Sequence, residues 1–154
     1  MEKNDLFKIL TKLVSKILAS TLGRDEKLKA ICKLLKDHVS YYDFVGFYIV
    51  DKKRKELVLG PFEGEPTEHV RIPFGVGICG QAADQKKTFI VQDVSEETNY
   101  LSCNANVKAE IVIPIFYKNE IVGELDIDSH TISPFTTEDT KFLVKISEKV
   151  AELI

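Results

Sequence analysis

Cys79 and Cys103 are the two residues whose sequence surroundings could make a thiol reactive. Cys79 lies in the turn Gly77-Ile-Cys-Gly80, where a helix is expected to begin. Unpaired backbone amides and the helix dipole at such an end favour a thiolate and would lower the pKa of the thiol. Cys103 lies in an irregular stretch, and a loop there can present its side chain to a pocket. Both thiols are therefore candidates for nucleophilic or redox chemistry.

Three carboxylates follow these thiols in the chain. Glu110 opens an otherwise apolar strand, where an acid is costly unless it is paired or solvated. Asp126 and Asp128 alternate with Leu125 and Ile127, so both carboxylates point to one face of a strand. Two interpretations stay open for that face. The acids either face solvent at a sheet edge or join Glu110 in a pocket.

The third cysteine, Cys32, has a different context. It lies on the apolar stripe of a predicted helix, which favours a small buried side chain. Three cysteines are too few for a secreted disulfide framework in a chain of 154 residues. No pair has the CxxC spacing of a structural zinc site. We therefore expect a reducing, cytoplasmic environment, with no metal and no cofactor.

Composition narrows the classes of function further. Hydrophobic residues make up 44% of the chain, charged residues 29%, and the net charge is -3. These values describe an ordinary globular protein, and the scattered Lys and Arg residues form no basic stripe for nucleic acid. No apolar run approaches the roughly 20 residues that span a bilayer. We expect neither a nucleic-acid partner nor a membrane.

Periodic patterns predict the elements that must position these residues. Helical spacing of apolar residues predicts helices over about 6–18 and 24–39, and a capped helix from about 136. Aromatic and β-branched runs predict strands at 44–50, 56–60, 70–73, 89–93, 109–116 and 121–128. Pro61 and Gly64 mark a loop, and a short helix follows the glycine-rich turn at 75–80.

This order of elements does not alternate strictly between strand and helix, so it favours an α+β fold with an antiparallel sheet and helices packed at its faces. We expect one domain over 1–154, with N-terminal helices in about 1–40, the sheet and pocket in about 44–130, and a C-terminal helix in about 136–154. The spacing Gly75-x-Gly-x-x-Gly80 matches a dinucleotide-binding pattern. It lacks the surrounding βαβ unit, and the match carries little weight.

Taken together, several motifs resemble the free methionine-(R)-sulfoxide reductases, which are stand-alone GAF domains. The resemblance spans about residues 44–135 and includes, in order, Gly46-Phe-Tyr48, Leu59-Gly-Pro-Phe62, Arg71-Ile-Pro73, Gly75-Val-Gly-Ile-Cys-Gly80, Cys103, Glu110-Ile-Val-Ile-Pro114 and Leu125-Asp-Ile-Asp-Ser129. The order and spacing of these pieces are more specific than any one of them.

The resemblance implies a reaction and a role for each residue. Cys103 is the nucleophile that attacks the sulfur of free methionine sulfoxide and becomes a sulfenic acid. Cys79 then forms a disulfide with it, and a thioredoxin-like dithiol restores both thiols. Glu110, Asp126 and Asp128 bind the substrate ammonium and supply a proton, and Tyr48 and Phe44 complete the substrate pocket. Homodimers are frequent among such domains, so a homodimer is expected.

The sequence also departs from the family pattern. His69 replaces the first pocket cysteine, Phe44 replaces a tryptophan, and Asn99-Tyr100 replaces a Gly-His pair. His69 is either a solvent-facing loop residue or a pocket residue that stabilises the Cys103 thiolate. Because of these changes, a second hypothesis stays open, in which the domain senses a small molecule or redox state through a partner chain without catalysis.

Overall fold

A single antiparallel sheet organises the chain. The computed structural model describes residues 1–101 and 104–154. Six strands follow the order β3-β2-β1-β6-β5-β4, and every neighbouring pair is antiparallel. The strands are β1 (Phe44–Asp51), β2 (Glu56–Glu63), β3 (Arg71–Pro73), β4 (Phe89–Val91), β5 (Ala109–Tyr117) and β6 (Glu120–Ser129). The predicted α+β class with an antiparallel sheet is confirmed.

Four helices cover the two faces of this sheet. They are α1 (Lys3–Ala19), α2 (Arg24–His38), α3 (Gly77–Gln85) and α4 (Thr137–Val150). A 3-10 turn at Val94–Glu96 lies in the stretch predicted to be irregular. Within residues 1–101 and 104–154, no helix combines the length and the apolar character needed to cross a membrane.

The larger core lies on the face covered by α1, α2 and α4. Alternate residues of three central strands point to this face, because side chains along a strand alternate between its two sides. They include Val45 and Phe47 of β1, Ile111 and Ile113 of β5, and Leu125 and Ile127 of β6, all buried against apolar residues of the helices. Cys32 is fully buried here and donates a hydrogen bond to the carbonyl oxygen of Pro61 at 3.6 Å. Its interpretation as a small core side chain is confirmed.

The opposite face of the sheet carries α3 and a second apolar cluster. Tyr48, Leu57 and Val112 of the sheet pack there with Ile78, Cys79 and the alanines of α3. The same alternation that sends Leu125 and Ile127 to the helical core sends Glu124, Asp126 and Asp128 to this face. The sheet therefore separates an apolar layer from a layer that contains acids.

The predicted ends of two strands were wrong, because β4 stops at Val91 and not at residue 93, and β2 extends beyond residue 60. Strand β2 continues through Pro61 to Glu63, although Pro61 was expected to begin a loop. The pairing of β1 with β2 shifts register between Gly46 and Tyr48, which is the point opposite Pro61. A bulge tolerates proline because it removes the need for a ladder hydrogen bond from that residue.

Asp139 joins three parts of the chain on the helical face. Its side chain is completely buried and accepts hydrogen bonds from Lys3 at 2.7 Å, from the Tyr41 hydroxyl at 2.6 Å and from the Tyr42 hydroxyl at 2.7 Å. It also forms the capping box of α4 with Thr136. Burial alone would raise the pKa of Asp139, but these hydrogen bonds and the Lys3 charge hold it below its usual value.

We expect Asp139→Ala to lower the free energy of unfolding by about 2–4 kcal/mol, because it removes a helix cap and leaves buried hydroxyl donors without an acceptor. Urea denaturation near neutral pH measures this difference. The lowered pKa means that the contribution of Asp139 is present above the unfolded-state pKa and is lost as the pH falls through the folded-state pKa. The gap between the two proteins should therefore narrow in acid.

Asp37→Ala is the matched control. Asp37 is exposed and pairs with Lys33 one helical turn away. Its loss should change the free energy of unfolding far less than the loss of Asp139 does, because exposed ion pairs contribute little to stability. Equal effects of the two substitutions would contradict the role given to Asp139.

Candidate active site

Strand β6 carries acidic side chains at alternate positions on one buried face, and these side chains form a row. It lies between β1 and β5 in the middle of the sheet, so neither of its edges meets solvent. Asp126 is opposite Gly46 on one side and Val112 on the other, and Asp128 is opposite Phe44 and Glu110. Asp126 and Asp128 are both buried. The open interpretation of these acids as a solvent-facing pair was therefore wrong, and the pocket interpretation is supported.

The glycine-rich turn places Cys79 above this row. The amide of Gly75 donates to the carbonyl oxygen of Gly80 at 2.7 Å, which folds the turn onto the start of α3. A side chain at Gly80 would come within 2.5 Å of the Pro73 carbonyl oxygen, so the close approach requires glycine. Gly75 and Gly77 have positive φ angles of 90° and 66°, so the glycines of this turn serve its backbone shape as well as close packing.

Cys79 contacts the first of the predicted acids directly. Its sulfur donates a hydrogen bond to Glu110 Oε2 at 3.7 Å, and both side chains are buried. Burial raises the pKa of the Cys79 thiol well above its usual value, and the surrounding carboxylates, led by Asp126, raise it further. The expectation that the start of α3 would lower this pKa was wrong. Desolvation and four nearby acids outweigh a single helix end.

The acids themselves favour their protonated forms. Burial raises the pKa of Asp126, although hydrogen bonds with Glu110 and Cys79 offset part of the effect. Burial also raises the pKa of Asp128, and the neighbouring Asp126 charge adds to it. Carboxyl groups that remain protonated near neutral pH can act as general acids. The raised pKa values of Asp126 and Asp128 therefore favour a proton donor beside the Cys79 thiol.

Glu124 belongs to the same row and was missed by the sequence analysis. It is completely buried, and neither of its carboxylate oxygens has a hydrogen-bond partner among the described residues. Burial raises its pKa well above the usual value, the Asp126 charge raises it further, and an interaction with Cys79 opposes this. The alternation that selected Asp126 and Asp128 applies equally to Glu124, so the signal was present.

A small cavity lies between these side chains. Its volume is about 10 Å³, and it is lined by Tyr48, Ile72, Val76, Gly77, Ile78, Cys79, Leu101, Glu110 and Asp126. Tyr48 contributes to the wall, and its hydroxyl donates to the His69 carbonyl oxygen at 3.1 Å. His69 is half-buried, and its side chain is not among the described residues that line the cavity. The substrate-binding role of Tyr48 and the pocket role of His69 stay predictions.

The remaining predicted site residues lie beside the cavity or outside the described chain. Phe44 is buried next to Asp128 across the β1–β6 pairing and stacks on Phe62 with ring centroids 5.5 Å apart. Neither Phe44 nor Asp128 is among the described residues that line the cavity. Cys103 lies outside the described residues, so its proposed role stays a prediction.

A segment at residues 99–101 closes the cavity from above. The Asn99 side chain accepts a hydrogen bond from the Gly77 amide and donates one to the Gly75 carbonyl oxygen, both at 2.9 Å. Gln81 donates to the carbonyl oxygen of Asn99 at 3.0 Å. Leu101 then packs over Gly77, where an added Cβ would lie 2.8 Å from Leu101 Cβ. Asn99 was noted in the sequence only as a departure, and its bridging contacts require the tertiary structure.

These features define a GAF domain, and the GAF-domain family model matches residues 21–154. The chain belongs to this family and, within it, to the free methionine-R-sulfoxide reductase family. It is 31% identical to the free methionine-R-sulfoxide reductase of Escherichia coli over all of this chain and 92% of that protein.

Two solved structures of this family are similar to the chain as well. The free methionine-R-sulfoxide reductase of Neisseria meningitidis in complex with its substrate is 32% identical, with a TM-score of 0.91 over 99% of this chain and 90% of that one. The type II free methionine-R-sulfoxide reductase of Thermoplasma acidophilum is 36% identical, with a TM-score of 0.81 over 84% and 91% of the two chains. The predicted resemblance is thus confirmed.

Glu124 should make the folded state less stable as the pH rises. Because its folded-state pKa is raised above the ordinary value of 4.5, the folded protein binds more protons than the unfolded one above that pH, and stability falls as the pH rises from there to the folded-state pKa. Each unit of pKa difference corresponds to about 1.4 kcal/mol. We expect Glu124→Gln to reduce this fall, measured by urea denaturation at about pH 5 and about pH 8.

Glu120→Gln provides the control on the same strand. Glu120 is exposed and pairs with Lys52, which lowers the pKa of Glu120. Its substitution should leave the loss of stability between the two pH values unchanged. Asp126 and Asp128 have raised pKa values too, so part of this loss of stability should remain in Glu124→Gln. An unchanged fall in that variant would show that Glu124 is ionised in the folded protein.

Proposed function

We propose that the chain reduces free methionine-(R)-sulfoxide to methionine. The observation that carries this proposal is the packing of Cys79 against Glu110 in one buried site with Asp126, in a chain that belongs to the free methionine-R-sulfoxide reductase family. A thiol and protonated carboxyl groups are the two components that sulfoxide reduction by a thiol requires.

The first step produces methionine. The Cys103 thiolate attacks the sulfur of the sulfoxide, and a buried carboxyl group of β6 transfers a proton to the sulfoxide oxygen. The resulting hydroxyl group then moves from the sulfoxide sulfur to the Cys103 sulfur, so one sulfur–oxygen bond breaks and another forms. Methionine leaves reduced by two electrons, and Cys103 is oxidised by two electrons to a sulfenic acid. The raised pKa values of Asp126 and Asp128 support a role as proton donors. The third acid, Glu110, accepts a hydrogen bond from Cys79. Together with Asp126 and Asp128, it binds the substrate ammonium.

The second step restores the thiols. Cys79 attacks the sulfenic sulfur, a disulfide forms, and the hydroxyl departs as water after it takes up a proton. A thioredoxin-like dithiol then reduces the disulfide by two exchange reactions and becomes oxidised itself. Cys79 takes this role because His69 stands where the family has another pocket cysteine. Its buried thiol must lose its proton during attack, and the nearby acids can accept it once they have donated theirs.

Substrate entry requires a structural change in this scheme. A cavity of about 10 Å³ holds little more than one water molecule, so methionine sulfoxide cannot enter without displacing part of the wall. Residues 99–101 are the part held by side-chain hydrogen bonds to the glycine turn. Their movement opens the cavity, and their return excludes water during the reaction.

Cysteine substitutions test the assignment of the two steps. We expect Cys103→Ser to release no methionine from free methionine sulfoxide. Cys79→Ser should release about one methionine per chain in a single turnover and then stop when thioredoxin is the reductant. Chromatographic measurement of methionine, with and without excess thioredoxin, distinguishes these outcomes.

Cys32→Ser is the matched control, because Cys32 is buried on the opposite side of the sheet from the site. It should turn over at the rate of the unmodified chain. The absence of methionine release by the unmodified chain would exclude the proposed reaction. Full turnover by Cys79→Ser with thioredoxin would exclude Cys79 as the partner of Cys103.

A sensor of small molecules or redox state is the second candidate function. The small closed cavity favours it, because a redox sensor needs a thiol pair and no space for a substrate. Thermal stabilisation by a metabolite, together with none by methionine or its sulfoxide, would support this candidate. Methionine release in the first experiment would exclude it.

The proposal also includes a cytoplasmic location and a homodimer. The cytoplasm supplies the reducing dithiol that the second step consumes. The dimer follows from the frequency of dimers among similar domains, and light scattering during size-exclusion chromatography measures it directly.

A further inference from the structure

The acid site contains a set of atoms suited to a metal ion. Cys79 Sγ and one carboxylate oxygen each of Glu110 and Asp126 lie within 4.8 Å of one another, and all three residues are buried. They come from α3, β5 and β6, so the fold fixes their positions relative to one another. The cavity that they line has a volume of about 10 Å³, which is large enough for a bare ion or a water molecule.

Asp126 provides a second and independent indication of a ligand. Its Oδ1 atom is buried without a hydrogen-bond partner among the described residues, and its side chain lines the cavity. Both carboxylate oxygens of Glu124 are also buried without such a partner. Glu124 lies outside the group of three and is not assigned as a ligand.

Charge balance favours a cation at this place. Among the residues that the structure describes, no Lys or Arg forms an ion pair with Asp126 or Asp128. Buried acids without a cationic partner must either retain protons or bind a metal ion. Protons satisfy the charge, but they leave Oδ1 of Asp126 without a partner. A metal ion satisfies both requirements.

We propose that the reduced chain binds one divalent ion of the Zn²⁺ type through Cys79 Sγ and carboxylate oxygens of Glu110 and Asp126, with water as the fourth ligand. A thiolate with a few carboxylates is a ligand set for zinc, whereas Mg²⁺ and Ca²⁺ require oxygen ligands alone. Bond lengths of about 2.3 Å to sulfur and about 2.0–2.2 Å to oxygen require only a small contraction of the present arrangement.

Binding exchanges protons for the ion. Cys79 and any protonated carboxyl group among the ligands release their protons to solvent, and no oxidation or reduction occurs. Affinity should therefore increase with pH. The ion would occupy Cys79 and two acids of the proposed reaction, so Zn²⁺ should inhibit that reaction. The metal site itself does not depend on the proposed function, because it is defined by the reduced chain alone.

Cobalt provides a direct test. Titration of the fully reduced chain with Co²⁺ under anaerobic conditions should produce a thiolate-to-cobalt charge-transfer band at one ion per chain, and Zn²⁺ should displace it. Cys79→Ser should abolish the band, and Cys32→Ser should leave it unchanged. The absence of a band at saturating Co²⁺, or a band of full strength in Cys79→Ser, would overturn the proposal.

Asp126→Asn separates metal binding from a general effect of altering a buried acid. It should weaken Zn²⁺ binding at least about tenfold, measured by competition with a chromophoric chelator. Glu124→Gln is the matched control, because Glu124 is buried on the same face of β6 and lies outside the ligand group. It should change the Zn²⁺ affinity by no more than about twofold. Unchanged affinity in Asp126→Asn, or an equal loss in both variants, would contradict the assigned ligands.

Discussion

The site depends on one constraint, which is the burial of three carboxyl groups on the same face of β6. Glu124, Asp126 and Asp128 share one face of a central strand, with Glu110 on the neighbouring strand. Charged carboxylates lose most of their solvation in such a place, so the protonated forms are favoured. The neighbouring side chains determine how this loss of solvation is offset. Cys79 donates a hydrogen bond to Glu110, and burial raises the pKa of the Cys79 thiol.

The apolar core on the other face of the sheet offsets the free-energy cost of burying these acids. Apolar residues of β1, β5 and β6 pack against α1, α2 and α4 in one continuous core. Burial of that apolar area is the main favourable term in folding. Asp139 is also buried on that side, but it has a cation and two hydroxyl donors as partners. Asp139 therefore differs from Glu124, whose buried carboxylate oxygens have no hydrogen-bond partner among the described residues.

A site that stores protons suits a reaction that consumes them. Reduction of a sulfoxide by thiols produces water, and the oxygen must be protonated before it leaves. The same acids and thiol form a ligand set for a borderline metal ion. The proposed reaction and the proposed metal binding therefore compete for the same protons and the same sulfur.

The sequence by itself determined the helices, most strand positions and the resemblance to the reductase family, because those features follow from local periodicity and from the spacing of motifs. The tertiary structure decided how the side chains behave. The two-residue alternation selected the face of Asp126 and Asp128, but only the central place of β6 made that face buried. The helix start at Cys79 predicted a lower pKa, and burial among acids reversed it, since desolvation depends on neighbours from distant strands. Glu124 followed the same alternation, yet its significance required knowledge of what packs over it.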